Sequence, residues 1–311
     1  MKYIDLHCDT ASELLYQNKE LSKNNLSVDV AKLRKGEALA QVFAFFIDAG
    51  KTNNLFLEFE VMHKNFMNEL KKNEDSIVLV KNIKELEEAN RNNKIGCFLS
   101  IEEGDVLEGD IKNLDYVYNN GIRIITLTWN YKNKIGYPNY EYLYKDNGLT
   151  EFGRELVYNM EKLGIIPDAS HLSDKGFYDL VSITKKPFIA SHSNSRVIKN
   201  HPRNLSDDMI KALSNKGGVM GINFCSDFLG KNKISSISDI IYHINYIRNV
   251  GGIDVIALGS DYDGILNAVE IKDCSEMYKL EYALKNEGFK EEEIEKIFYG
   301  NAKRVLYEIL K

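Results

Sequence analysis

Long apolar runs, paired cysteines and an excess of positive charge are all missing from this 311-residue sequence. No run reaches the roughly 18 apolar residues that a transmembrane helix needs, so the sequence predicts no membrane-spanning segment. The formal net charge of −6 offers no basic surface for a nucleic acid. The four cysteines lie far apart without a CxxC pair, which favours free thiols over a zinc knuckle or a disulfide framework.

A secretory leader is not expected either, because residues 1–4 lead at once into a charged, histidine-containing stretch. We therefore expect a cytoplasmic protein. Only four prolines and no low-complexity tract argue against a long disordered linker. Hydrophobic residues make up 44% of the chain, enough for a large core, and the prediction is one domain over residues 1–311.

Short apolar runs rich in β-branched residues recur along the chain, with polar stretches between them. Such continuous runs are typical of strands in a parallel sheet that is buried on both faces. We predict eight strands, over residues 3–6, 39–47, 97–101, 122–127, 165–169, 187–190, 218–223 and 255–258.

Amphipathic segments alternate with these runs and predict helices. Residues 54–71 place apolar side chains three or four positions apart, which gives one buried face. The segment 150–163 begins with Thr150, a good N-cap, and stops before Gly164, a good helix terminator. Further helices are predicted over 206–213, 238–250 and 290–310. The eight strands and the chain length favour a (β/α)8 TIM barrel over the competing doubly wound open sheet.

The predicted strands end in side chains that are suited to metal binding. In a barrel the carboxyl ends of the strands meet at one rim, where active sites of this fold are built. Imidazole and carboxylate groups together suit zinc, with manganese, cobalt or iron as substitutes. The set therefore predicts a site for one or two divalent metal ions, with candidates at His7, Asp9, Glu102, His171, His192, Asp261 and Asp263.

His7 and Asp9 are two positions apart at the end of the first predicted strand. In an extended strand such residues point to one face, so both could hold one ion while Cys8 faces away. The pair alone is weak, and Asp261 could simply form a turn. The joint placement on one rim favours the metal site. Of the other histidines, we expect His63 to be solvated, His201 to lie in a loop and His243 to pack between helices.

Several stretches, in this order along the chain, resemble the renal or membrane dipeptidase family of zinc metallopeptidases. They are DLHCDT (5–10), SIEEGD (100–105), GLTEFGRELVYNMEKLGIIPDASHLSD (148–174), ASHSNSRVIKNHPRNLSDD (190–208), GGVMGINF (217–224) and LGSDYDG (258–264). The resemblance implies a metallo-dependent hydrolase barrel that holds two zinc ions and cleaves dipeptides, some with a D-residue at the carboxyl end. It also suggests a homodimer.

The resemblance assigns a role to each matching position. His7 and Asp9 would bind the first ion, His171 and His192 the second, and Glu102 would bridge them. Arg203 matches the arginine that holds the substrate carboxylate. Asp261 matches the acidic residue that transfers protons, which makes Asp261 and Glu102 the predicted catalytic carboxylates.

Three positions depart from the family pattern. Glu103 occupies a position where glycine is usual. Trp129 replaces a histidine that contacts substrate, so Trp129 and the following Asn130, a possible neutral donor, are predicted to bind substrate. Cys225 replaces a tyrosine, which predicts a smaller pocket wall.

Two alternatives to a dipeptidase remain at this stage. Another amidohydrolase-type barrel could act on a lactone, an ester or a ring amine. Such barrels typically carry HxH in the first strand and a carbamylated lysine bridge, where this sequence has HxD and Glu102. A metal-binding barrel without catalysis is the other alternative, and Trp129 is the feature that favours it.

Overall fold

The computed structural model describes residues 1–310 and contains a closed ring of eight parallel strands. Neighbouring strands follow the order β2-β1-β9-β8-β7-β6-β5-β4, and pairing of β4 with β2 closes the ring. The strands are β1 (Tyr3–Cys8), β2 (Ala38–Phe46), β3 (Ile77–Leu79), β4 (Ile95–Glu102), β5 (Ile122–Thr126), β6 (Ile166–Asp168), β7 (Ile189–Ala190), β8 (Val219–Ile222) and β9 (Ile256–Leu258). The barrel prediction is confirmed, and the open sheet is excluded because the two outer strands of such a sheet would remain unpaired.

Strand β3 is an addition that the sequence pattern does not reveal. It pairs only with the start of β4, through residues 95–97, while β5 pairs with the same edge of β4 farther along. A segment of three residues is too short to show a recognisable hydrophobic pattern, which explains why the sequence prediction omits this strand.

Helices follow most of the strands and surround the barrel. Within residues 1–310 the α-helices are α1 (Thr10–Tyr16), α2 (Val30–Lys35), α3 (Leu55–Lys72), α4 (Ile83–Arg91), α5 (Ile111–Asn119), α6 (Glu151–Leu163), α7 (Asp174–Ile183), α8 (Asp207–Asn215), α9 (Ser226–Leu229), α10 (Ile237–Gly251), α11 (Tyr278–Asn286), α12 (Glu291–Glu295) and α13 (Asn301–Ile309). None of these helices combines the length and the apolar character that crossing a bilayer requires.

The helix boundaries largely match their sequence signals. The Thr150 side chain caps α6 by accepting from the N–H of Gly153, and Gly164 ends that helix with φ 85°. The predicted helix over 290–310 corresponds to an uninterrupted helical stretch over residues 291–309, whose backbone stays in the right-handed region at each junction. Within this stretch, a π-helical turn at Lys296–Gly300 lies between α12 and α13.

Apolar packing is concentrated between the strands and the helices and at the starts of the strands. A large cluster joins the helix faces to the outer side chains of the barrel. A second cluster joins α13 to residues from the first halves of the strands, among them Ile4, Ile124 and Val219. The polar strand ends lie at the opposite rim, which leaves that rim available for a site.

The barrel closes tightly beneath this rim. A Cβ atom added to Gly221 in β8 would lie 2.0 Å from the carbonyl oxygen of Ser191 and 2.8 Å from the Cα atom of Gly259. Backbone atoms cannot move aside as the end of a flexible side chain can. Glycine at position 221 therefore allows β7, β8 and β9 to approach one another.

We expect Gly221→Ala to lower the free energy of unfolding by about 1–3 kcal/mol, the usual cost of overpacking a close-packed interior. Urea denaturation followed by circular dichroism measures the effect. Gly300→Ala is the matched control, because Gly300 has φ −60° and the nearest atom to its added Cβ lies at 3.5 Å. The control should keep or raise stability, and equal values for the two variants would contradict the packing argument.

Candidate metal centre

The strand ends bring most of the predicted site residues to one rim of the barrel. Glu102 is the last residue of β4, His192 follows β7 by two residues, and His171 follows β6 by three. His7 lies within β1, and Asp261 follows β9 by three residues. All five side chains are buried or nearly so, and their polar atoms converge on a common centre.

The carboxylate of Glu102 lies at the middle of this cluster. Its Oε2 atom is 3.2 Å from Nε2 of His7. Its Oε1 atom is 3.0 Å from Nε2 of His171 and 3.6 Å from Nε2 of His192. The two oxygens therefore face two different groups of ligand atoms, as a bridging carboxylate would.

His7 and Asp9 lie together, but the reason differs from the one predicted. The strand ends at Cys8, and Asp9 has φ −94° and ψ 10°, so it is not extended. A register shift between Asp5 and Cys8 also interrupts the regular alternation. Asp9 Oδ1 nevertheless lies 3.7 Å from His7 Nε2, and the Cys8 thiol points away towards the carbonyl oxygen of Val42.

His171 and His192 present bare Nε2 atoms to the cluster. His192 Nδ1 lies 2.7 Å from Ser191 Oγ, and that hydroxyl donates to Asp168. The hydroxyl hydrogen is thereby used, so Nδ1–H of His192 is the donor in this contact. His171 Nδ1–H donates to Oδ1 of Asn130 at 3.1 Å. With both Nδ1 atoms protonated, the two Nε2 atoms, 3.1 Å apart, face each other as acceptors.

Three side chains of the cluster have pKa values shifted towards their uncharged forms. Burial, together with the nearby Glu102 charge, raises the pKa of Asp9 to about 8. Burial also raises the pKa of Asp261 to about 6, although the charge on His7 opposes the shift. Burial and the charge on Arg203 lower the pKa of His171 to about 4. A bound cation would favour ionised carboxylates and neutral imidazoles, so these residue types are compatible with metal binding.

The ligand atoms fit divalent ions. His7 Nε2 and Asp9 Oδ1 are buried and have no hydrogen-bond partner among the described residues. Buried polar atoms of this kind are costly unless something binds them. Imidazole nitrogens and carboxylate oxygens match zinc, and the opposed Nε2 atoms of His171 and His192 suit a cation between them.

Asp261 has a backbone conformation that few non-glycine residues adopt. Its φ is 63°, and that of His171 is 66°, so both residues lie in the left-handed region. Asn223 Nδ2 donates to Asp261 Oδ2 at 2.8 Å, while Oδ1 lies 3.9 Å from His7 Nε2. Asp263 faces elsewhere and accepts from Thr10 and Ser27, so it does not join the cluster.

Arg203 is buried beside the cluster and lacks an anionic partner among the described residues. Its Nη2 donates to the carbonyl oxygen of His192 at 3.2 Å, whereas Nε and Nη1 have no acceptor. Burial lowers the pKa of this guanidinium, against the favourable charges of Asp261 and Glu102. Two unsatisfied donors on a buried cation make a suitable place for a carboxylate.

A cavity of 840 Å³ opens over the cluster, and Asp9, Glu102, His171, Arg203 and Asp261 line it. Trp129 and Asn130, the residues predicted to bind substrate, also line it. A larger neighbouring cavity of 980 Å³ shares only those two residues with it and contains none of the candidate ligands. The candidate metal ligands therefore face the smaller cavity. Cys225 lies half-buried in the wall of this cavity, at the position where the family pattern has the larger tyrosine.

The sequence prediction omits the polar residues that hold these ligands. Asp5 accepts from the backbone N–H and the hydroxyl of Ser260, which ties β1 to the end of β9 beside His7. Asp168 accepts from Ser191 and Thr126 in the same way. A carboxylate inside an apolar strand run is an available signal for both, since burial of such a group requires partners.

The three remaining histidines differ in how they match expectation. His243 is buried against Leu229 and Ser195, which confirms a packing role. His63 is half-buried, and its Nε2 is hydrogen-bonded to the carbonyl oxygen of Asn120. The prediction that His63 is solvated is therefore wrong. His201 lies in the predicted loop, where its Nδ1 accepts from the backbone N–H of Arg203.

Comparisons with known proteins agree with this geometry. An uncharacterized dipeptidase of Schizosaccharomyces pombe is 32% identical over 259 residues, covering 76% of this chain and 61% of that protein. The chain thus spans about three fifths of the length of this relative. A solved metallo peptidase of family M19, the dipeptidase AC, superposes with a TM-score of 0.92 at 21% identity, over 100% of this chain and 99% of its own.

A metallo peptidase from Rhodobacter sphaeroides, liganded with a phosphinate mimic of the dipeptide L-Ala-D-Ala, gives a TM-score of 0.91 at 20% identity, over 99% of both chains. At such identities the likeness shows the shared barrel fold. The sequence profile of the membrane dipeptidase family, peptidase family M19, matches residues 1–311. With a match over that entire range, this protein belongs to the membrane dipeptidase family.

Proposed function

We propose that this protein is a binuclear zinc dipeptidase, which hydrolyses the peptide bond of a dipeptide with an activated water molecule. The observation that carries the proposal is the position of Glu102 between His7 on one side and His171 and His192 on the other. His7 and Asp9 would hold one ion, the other two histidines the second, and Glu102 both. Ions bound there would polarise the scissile carbonyl and lower the pKa of a water molecule.

Asp261 is proposed to transfer the protons. Asn223 fixes one carboxylate oxygen of Asp261, and the other oxygen faces the cluster near His7. In this position Asp261 can accept a proton from the attacking water and pass it to the leaving amine.

Arg203 is proposed to bind the carboxyl end of the dipeptide. Its buried, unpartnered N–H groups fit a carboxylate through two parallel hydrogen bonds. Because the guanidinium is fixed in the cavity wall, it would set the distance between the substrate carboxylate and the scissile bond. A fixed distance of this kind would favour dipeptides over longer peptides, and Trp129 and Asn130 would contact the rest of the substrate. A D-residue at the carboxyl end is part of the proposal, and the Rhodobacter sphaeroides protein binds a mimic of such a dipeptide.

We expect Asp261→Asn to lower kcat by roughly a hundredfold or more, because the amide cannot accept the proton. The metal content should stay near that of the wild type. Asp227→Asn is the control, since Asp227 lines the same cavity outside the cluster and should leave kcat near its wild-type value. An unchanged kcat in Asp261→Asn would reassign Asp261 to a structural role.

We expect Arg203→Lys to raise KM roughly tenfold or more with a smaller change in kcat, because a point charge replaces a planar fork. Steady-state kinetics on a dipeptide and on its carboxyl-amidated form test the contact. The wild type should discriminate strongly between the two substrates, and the variant should discriminate less. Equal kinetics of the wild type on both forms would show that Arg203 does not bind the carboxylate.

A further inference from the structure

Glu103 combines a strained backbone with a buried carboxylate directly after the central Glu102. Its φ is 89°, a conformation that favours glycine, and its side chain is completely buried. Both features oppose the presence of a glutamate unless its side chain makes contacts that only a carboxylate can make.

The contacts of this carboxylate all lie close to the loop that follows β5. Oε2 accepts from the backbone N–H of Trp129 at 3.2 Å. Oε1 accepts from Asn133 Nδ2 at 2.6 Å and from the backbone N–H of Asp105 at 3.0 Å. Asn133 in turn accepts from the N–H groups of Ile135 and Gly136 through Oδ1, at 2.8 and 2.9 Å. One carboxylate therefore anchors residues 129–136, the Trp129 loop.

The Trp129 loop presses closely against the chain beside Glu103. A Cβ atom on Gly104 would lie 2.8 Å from the carbonyl oxygen of Leu127 and 2.6 Å from the side chain of Ile135. Because the two segments lie so close together, the Glu103 carboxylate reaches the loop backbone directly.

This loop delivers two side chains to the candidate metal centre. Asn130 accepts from Nδ1–H of His171, which directs Nε2 of that imidazole towards Glu102. The Trp129 ring packs 4.8 Å from Phe46 and 6.3 Å from His171, measured between ring centroids. Trp129 and Asn130 also form the wall that the cavities of 840 and 980 Å³ share.

We propose that Glu103 is a positioning residue, which holds Trp129 and Asn130 in place as the wall of the substrate cavity. Glu103 does not line that cavity and acts only through the loop that it anchors. The kinetic part of this inference rests on the proposed dipeptidase function. The structural part does not.

Fluorescence tests the structural part, because Trp129 is the only tryptophan in the sequence. Glu103→Gly removes the carboxylate and at the same time relieves the strained backbone, so the variant should fold. We expect acrylamide quenching of Trp129 to increase about twofold or more and its emission maximum to shift. Glu103→Gln retains one acceptor oxygen and should give intermediate values.

Dipeptide kinetics test the kinetic part of the inference, and excess zinc keeps the metal occupancy constant. We expect KM to rise about tenfold in Glu103→Gly, the scale of a lost charge-assisted hydrogen bond, with a smaller change in kcat. Glu37→Gly is the matched control, because Glu37 also has a positive φ, of 61°, but its side chain is 65% exposed and outside the site. This control should match the wild type in fluorescence and kinetics.

Wild-type quenching and wild-type KM in Glu103→Gly would overturn the inference. If Glu103 had no role beyond the fold, its replacement by glycine would relieve backbone strain and leave both the quenching and KM unchanged. If the wild type hydrolysed no dipeptide but the Trp129 signal still changed in Glu103→Gly, the positioning role would stand and the proposed function would fail. If the wild type hydrolysed dipeptides but the Trp129 signal stayed unchanged in Glu103→Gly, the proposed function would stand and the positioning role would fail.

Discussion

The contact of one buried carboxylate with three imidazoles is the interaction on which the site depends. Glu102 ends β4 and faces His7 from β1 and the histidines that follow β6 and β7. The charge on His7 holds the pKa of Glu102 well below its usual range, although burial opposes this. The carboxylate therefore remains ionised and can act as a ligand. The barrel makes the arrangement possible, because closure by the β2–β4 pair brings distant strand ends to one rim.

The ligands are held by a layer of hydrogen bonds beneath the rim. Asp168 fixes the Ser191 hydroxyl and through it the tautomer of His192, as Asn130 does for His171. Asn223 orients Asp261. Such outer contacts fix the direction of an imidazole or carboxylate before an ion binds, which reduces the reorganisation that binding requires. His171 and Asp261 adopt left-handed backbone conformations at this rim, and such conformations are unfavourable in free energy for residues other than glycine.

Features with a regular pattern or a distinctive residue type could be predicted from the sequence. The eight barrel strands read as apolar runs, and the candidate ligands read as polar residues that follow them. The signals fail where a contact is long-range or an element is short. Strand β3 has only three residues. The π-helical turn in the last predicted helix leaves the spacing of its apolar residues unchanged, so the sequence pattern does not reveal it. In the sequence Glu103 looks like part of an acidic loop, since its partners Trp129 and Asn133 lie 26 and 30 residues away along the chain.

The metal stoichiometry of the purified protein, measured together with dipeptide hydrolysis, tests the central claim most directly. The wild type should hold two zinc ions per chain, lose hydrolysis of L,L and L,D dipeptides with a chelator, and regain it with zinc. His171→Ala should retain one ion and lose turnover, because the site on the Oε1 side of Glu102 loses a ligand. Full activity with a single ion, or hydrolysis that survives complete removal of metal, would contradict the account.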